Sequence, residues 1–325
     1  MATSTITKWI ILSINIMIIQ TLTLTQAQQV PCFFLFGDSQ FDNGNNNLLL
    51  TNAKANYRPY GIDFPGAVPT GRFTNGKNIA DFLAQLLGFS DPIPPFASTR
   101  GSAVIRGLNY ASGAAGILDI SGIRLGDRIS MNRQLANHRA AAGQIAALFR
   151  NRAAADSYLP FSRQLRSLYN LGSRKVAVFG IGLIGCIPQE ISLYPITNGS
   201  PCVDPINIAV GLFNNRLVSL INDLNANLPN ARFTYINSTS IALGDPSLIG
   251  VKVVNAPCCE VQRPGAGAPG QCLPNGSVCS NRDEYIFFDN FHPTQIAYNV
   301  TASRSYRALL PADASPVDIQ RLVQQ

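Results

Sequence analysis

The stretch "FFLFGDSQFDNGNNN", Phe33 to Asn47, decides how the rest of the chain is read. An apolar and aromatic run enters Gly37-Asp38-Ser39, and a polar, Asn-rich segment follows. A short apolar run of this length suits a buried strand better than a helix. Gly37 permits a tight turn at the strand's exit. Ser39 then has two readings: a cap for a following helix, or a nucleophile whose developing oxyanion would meet free backbone N–H groups.

Working outward, apolar runs alternate with helical patterns. Strands are expected at 30–38, 103–116, 175–182 and 232–237. Helices are expected at 75–88, 129–152, 161–172 and 207–229, and in the tail after His292. Strands separated by helices imply βαβ units and a mainly parallel sheet. Ligands of such sheets sit at the carboxyl ends of the strands. The loops "FGDSQ", "GAAG" and "GIGLIG" are therefore candidate sites. The alternation fails once. Between Gly126 and Lys175 two helices follow one another, and 150–164, polar and carrying Pro160, does not read as a core strand.

The chain has 325 residues, 46% apolar and only 13% charged, enough for a substantial core and unlike a disordered composition. No repeat or long linker divides it, and residues 28–325 are read as a single domain. A net charge of +7 and a pI near 9.2 make it mildly basic, but the arginines are scattered. That argues against nucleic acid as a partner and leaves a weak association with acidic cell-wall polysaccharide as an expectation.

Lys8, the apolar run Trp9–Ile19 and Ala27 read as a secretory signal peptide over residues 1–27. The run is short for a membrane span, so no stable membrane insertion is expected. Export agrees with glycosylation sequons at Asn198, Asn237, Asn275 and Asn299, of which Asn198 is weakened by Pro201. It agrees also with seven cysteines beyond the signal segment. Cys258, Cys259, Cys272 and Cys279 suit a stapled loop rather than a metal site, as no Cys-x2-Cys pair exists and neither histidine is near in sequence. Cys186 and Cys202 bracket another loop, which would leave Cys32 unpaired. No metal or cofactor is expected.

A serine nucleophile needs a base and a group to orient it. The chain has two histidines. His138 lies mid-helix and reads as a solvated or helix-packing residue. His292 follows Asp289 by three residues and precedes Pro293, which biases it into a turn. Asp289 and His292 can meet across that turn, the carboxylate holding one ring nitrogen and aiming the other at Ser39.

"FGDSQFDNGNNN", "PTGRFTNGKNIADFLAQLLG", "NYASGAAGI", "RKVAVFGIGLIGC" and "CSNRDEYIFFDNFHPT", in this order, resemble the plant GDSL esterase/lipase family of the SGNH hydrolases. The resemblance implies a flavodoxin-like three-layer α/β/α sandwich that hydrolyses acyl or acetyl esters without a metal, acting on a small ester or lipid. It implies Ser39 as nucleophile, His292 as base and Asp289 as orienting acid. The oxyanion donors would be the N–H groups of Ser39 and Gly116, with Gly113 as an alternative. The family's Gly-x-Asn-Asp block, which ends a central strand and supplies a third donor, has no counterpart; "LINDLN" lies inside a helix. The expected place is Tyr158–Arg163, where the strand is also missing. The resemblance thus implies either an active secreted esterase or a truncated, weakly active member that binds esters or glycans.

Overall fold

The computed structural model describes residues 27–149, 160–194 and 199–325. Most of the expected signal segment, residues 150–159 and Asn198 lie outside the described residues.

The N-terminal strand forms as an extended segment. Phe33 and Leu35 N–H groups donate to the carbonyls of Arg106 and Leu108, and the Leu35 and Gly37 carbonyls accept from Tyr110 and Ser112. This is a parallel ladder, shorter on its partner side than expected because residues 101–106 coil into a 3₁₀ turn. Pro95 adds a second parallel bridge, on the far side of Asn109. Further along the chain β1 (Lys175–Phe179) pairs parallel with β2 (Arg232–Ile236), and the short β5 (Ala314–Ser315) runs antiparallel to β2. A separate parallel pair is formed by β3 (Val253–Pro257) and β4 (Tyr285–Phe287), which leads into the turn of Asp289 and His292.

Helices cover both faces. On one side lie α1 (Ile79–Leu86), α7 (Gln295–Tyr306) and α8 (Ile319–Gln324). They bury Ile79, Leu83, Tyr298 and Ile319 against Leu35, Ala177, Phe179 and Ile236. On the other lie α2 (Met131–Phe149), α3 (Pro160–Asn170) and α5 (Asp204–Asn227), the short α4 (Pro188–Leu193) coming between β1 and α5 in the chain. They bury Leu135, Leu165, Leu217 and Ile221 against Val178, Phe233 and Tyr235. The residues of β1 and β2 divide alternately between these clusters, as the two-residue side-chain period of a strand requires. The result is an α/β protein of three layers, as expected. The helix expected from position 75 starts later, where Asn78 caps α1: its side chain accepts from Asp81 N–H while the Asp81 carboxylate accepts from Asn78 N–H.

The sheet is in two pieces. Among the described residues nothing pairs with the free edge of β1 or with the edge of Phe33–Gly37 turned away from Arg106–Ser112. A cavity of about 2020 Å³ is lined by both.

Three disulfides are formed, Cys186–Cys202, Cys258–Cys279 and Cys259–Cys272, and Cys32 is free. Asn275 and Asn299 are exposed. Asn237 is half-buried and caps the short α6 (Ser238–Ala242), its side chain accepting from Ser240 N–H. Among the described residues no helix is long and apolar enough to cross a membrane.

Candidate active site

Ser39 sits at the exit of the first extended segment, and no helix begins there. The chain makes one turn, with Phe41 and Asp42 N–H groups donating to the Asp38 carbonyl. The nearest helical element is the 3₁₀ turn Asn45–Leu48. Ser39 is therefore not a helix cap. Gly37 takes φ +152°, a conformation side-chain-bearing residues rarely adopt. Its peptide is clamped by Gln134: Gly37 N–H donates to Gln134 Oε1 at 2.9 Å, and Gln134 Nε2 donates to the Gly37 carbonyl at 2.7 Å.

The Asn-rich segment beyond it is buried rather than solvated. Asn45 Nδ2 donates to the carbonyls of Asn109 and Ala111, and Asn46 Nδ2 to those of Ala53 and Gly113. The Asn109 carbonyl also accepts from Phe96 N–H, whereas those of Ala53, Ala111 and Gly113 meet no other donor among the described residues, so the amides satisfy them as buried carbonyls require. Asp42, fully buried, accepts N–H bonds from Gly44, Asn45 and Gly113. Burial pushes its carboxyl up to about 6, and these amides oppose the shift. The bond to Gly113 corrects one expectation. That N–H is already taken by Asp42 at 3.0 Å, so Gly113 is not a free oxyanion donor. Gly116 differs: among the described residues no acceptor meets its N–H, and it lines the same cavity as Ser39 and His292. A Cβ on Gly116 would lie 2.5 Å from that of Ser121, so the close approach of the two loops requires glycine.

His292 and Asp289 share one turn. Asp289 Oδ1 accepts the backbone N–H groups of Phe291 and His292, both at 2.8 Å. Both carboxylate oxygens lie within 2.9 Å of His292 Nδ1. With Nδ1 held by the carboxylate, Nε2 faces Ser39, and Nε2 to Ser39 Oγ is 2.8 Å. The pair is almost wholly enclosed, Asp289 at 0% and His292 at 4% exposure. Phe73 packs its ring on the imidazole at 5.0 Å. The three residues singled out in the sequence, 253 positions apart at their extremes, thus form one hydrogen-bonded line.

Two further residues, Tyr60 and Gln134, hold the site in place. Tyr60, fully buried, donates to Asp289 Oδ2 at 2.6 Å and accepts from Cys272 N–H at 3.1 Å. Burial, and next the nearby Asp289 charge, push its phenol well above the ordinary tyrosine range, so it remains a donor. Because 229 positions separate it from Asp289, no local pattern reveals it. Gln134 had a signal: it is a polar residue among the apolar positions of α2.

His138 is a packing residue. It is 4% exposed, lies against Phe34, Phe36 and Tyr110, and burial lowers its pKa to about 4.

A family model described as GDSL-like lipase/acylhydrolase matches the chain over residues 33–157 and 150–305. The chain is 41% identical to the GDSL esterase/lipase At1g29670 of Arabidopsis thaliana over 366 residues, covering 99% of each. It is 41% identical to At5g45670 of the same plant over 336 residues, covering 90% of this chain and 92% of the relative. It is 40% identical to At4g30140 over 352 residues, covering 97% of each. The first alignment spans 366 positions against a chain of 325 residues, so at least 41 positions have no residue here. The two family-model segments meet at 150–157, between α2 and α3.

Proposed function

Since the chain belongs to the GDSL lipase/acylhydrolase family of ester hydrolases, we propose that it is a secreted serine esterase acting on acyl or acetyl esters through Ser39, His292 and Asp289. The observation that carries this reading is the 2.8 Å contact between Ser39 Oγ and His292 Nε2. His292 takes the serine proton as Oγ attacks the ester carbonyl, and Asp289 stabilises the imidazolium that forms. The oxyanion is held by the N–H groups of Ser39 and Gly116. The alkoxide leaves with the proton from His292, and water repeats the cycle on the acyl-enzyme.

Turnover is weak in this reading. The family's Gly-x-Asn-Asp block is not found in the sequence, and loss of one oxyanion donor costs about 10²–10³ in rate. The same observation favours a second reading, a family member that binds esters or glycans without turning them over. Export follows residues 1–27, and Asn237, Asn275, Asn299 and the weaker Asn198 carry glycans. The cationic surface gives a loose hold on acidic wall polysaccharide.

Hydrolysis of p-nitrophenyl butyrate by the secreted protein decides between the two readings. Catalysis predicts a rate above that of Ser39→Ala, whose fold is unchanged; equal rates for the two proteins leave the binding reading.

A further inference from the structure

The geometry points to a binding site at the middle of the sheet: we propose that the slot between Phe33–Gly37 and β1 seats one extended apolar peptide strand supplied by a second polypeptide. In a parallel sheet alternate residues of a strand bond to the neighbour on either side. Phe33, Leu35 and Gly37 bond toward Arg106–Ser112. Phe34 and Phe36 therefore turn their N–H and C=O groups the other way, and among the described residues neither is hydrogen-bonded through its backbone. On β1 the bonds from Arg232 N–H to the Arg174 carbonyl and from Gly180 N–H to the Ile236 carbonyl fix the even-numbered residues on the β2 side. Ala177 and Phe179 then present their backbone groups away from β2. Both edges line the same cavity.

The same helices cap that cavity above and below. One core cluster joins Leu35 and Phe33 to Ala177 and Phe179, and the other joins Phe36 to Val176 and Val178. The two pieces of sheet thus share their covers while lacking a common strand. A hydrocarbon ligand would fill the volume and leave both rows of backbone groups unpaired, each costing about 1–3 kcal/mol. An extended peptide pairs with both rows at once, as in recognition by strand addition.

Its chemistry follows. With helices on both faces, the strand must be apolar on both sides, about five residues long to match β1, and parallel to its neighbours. Its carboxyl end then emerges beside Ser39, at the exit of the segment it pairs with. In the alignment with At1g29670 at least 41 positions have no residue in this chain, and the two family-model segments meet at 150–157, directly before the helix that leads into β1. A βαβ chain would place this strand there. The chain's own "RNRAAADSYL" is a poor occupant in sequence, since it would carry Arg150, Arg152 and Asp156 into an apolar slot.

The test uses the full mature chain and a synthetic peptide, Val-Ile-Val-Thr-Val followed by Gly-Ser-Asn-Asp, with a control carrying proline at its third residue. Hydrogen exchange reads the amides of Phe34, Phe36, Ala177 and Phe179, so the outcome does not depend on ester turnover. At about one hundred times its dissociation constant the peptide should slow these amides by about a hundredfold, and the proline control should not. Unchanged exchange with peptide overturns the proposal. So does equal slowing by the control. Protection of the same amides before any peptide is added also overturns it, because the slot is then filled by residues 150–159 or by a second copy of the chain.

Discussion

The corner that holds Asp289 and the centre of the sheet are built by opposite means. At the corner Cys258–Cys279 and Cys259–Cys272 tie a loop under Phe288, and Tyr60, Phe73 and Phe288 are buried around it. Each oxygen of Asp289 has a protein donor. At the sheet centre two edges of backbone groups face a cavity of about 2020 Å³. The corner is held by two covalent links within its own loop and by Tyr60 and Phe73, packed in from a distant part of the chain. The centre depends on a strand contributed from a distance. A chain can therefore keep its reactive residues in line while the sheet beneath them is incomplete.

The sharpest way to test that alignment is Asp289→Asn. An amide in this position can hold the wrong imidazole tautomer, and such changes cost about 10⁴ in kcat. The loss should appear in p-nitrophenyl butyrate hydrolysis relative to the parent protein, with an unchanged circular dichroism spectrum. A variant that keeps the parent rate would break the reading of the corner as a triad.

Core truncations compare the two regions directly. Phe288 is fully buried with neighbours on every side, so Phe288→Ala should cost about 3–5 kcal/mol of stability. Phe36 is only partly buried and borders an existing cavity, so Phe36→Ala should cost roughly half as much. Urea unfolding midpoints of the two variants measure the difference. Equal costs would mean that the slot is packed as tightly as the corner.

His138 ties stability to pH from the slot side, next to Phe34 and Phe36. Its folded pKa of about 4 lies below the ordinary value of 6.5. The folded state therefore refuses a proton that the unfolded chain accepts. Stability is intact above pH 6.5 and is lost as pH falls toward 4, by about 3 kcal/mol in all. Asp42 acts in the opposite sense: its folded pKa of about 6 lies above 3.8, so its contribution is lost as pH rises through 6. Comparison with His138→Gln cancels Asp42, and the parent's thermal midpoint should fall relative to the variant's between pH 7 and 4.5. A constant difference would place His138 in water.

What could be read in the sequence follows the same division. Asp289 and His292 stand three residues apart, and a proline fixes their turn, so one short motif carries the geometry. Ser39 is legible because an apolar run delivers it. The two helical layers follow from periodicity, and the break in alternation before Lys175 is visible for the same reason. The Asn-rich segment misleads because its side chains replace strand partners inside the protein, and composition cannot distinguish a buried amide from a solvated one. Gly113 and Gly116 look alike as the two ends of "GAAG", and only the position of Asp42 separates them. The pairing of four clustered cysteines has no local signature at all.

Tyr60 offers the smallest expected effect and the finest probe of the corner. It receives the Cys272 N–H and donates to Asp289 Oδ2, so it links the Cys259–Cys272 loop to the carboxylate. It is a positioning residue, as it reaches the reacting atoms only through Asp289 and His292. Tyr60→Phe keeps the ring and removes one hydrogen bond to an ionised group, an interaction worth about 1.5–3 kcal/mol. Part of that is recovered because Asp289 Oδ1 keeps the N–H groups of Phe291 and His292. The expected loss in kcat is about tenfold, with KM unchanged. A positioning role lowers kcat at unchanged KM, and an unmoved kcat with a lowered thermal midpoint would restrict Tyr60 to holding the loop.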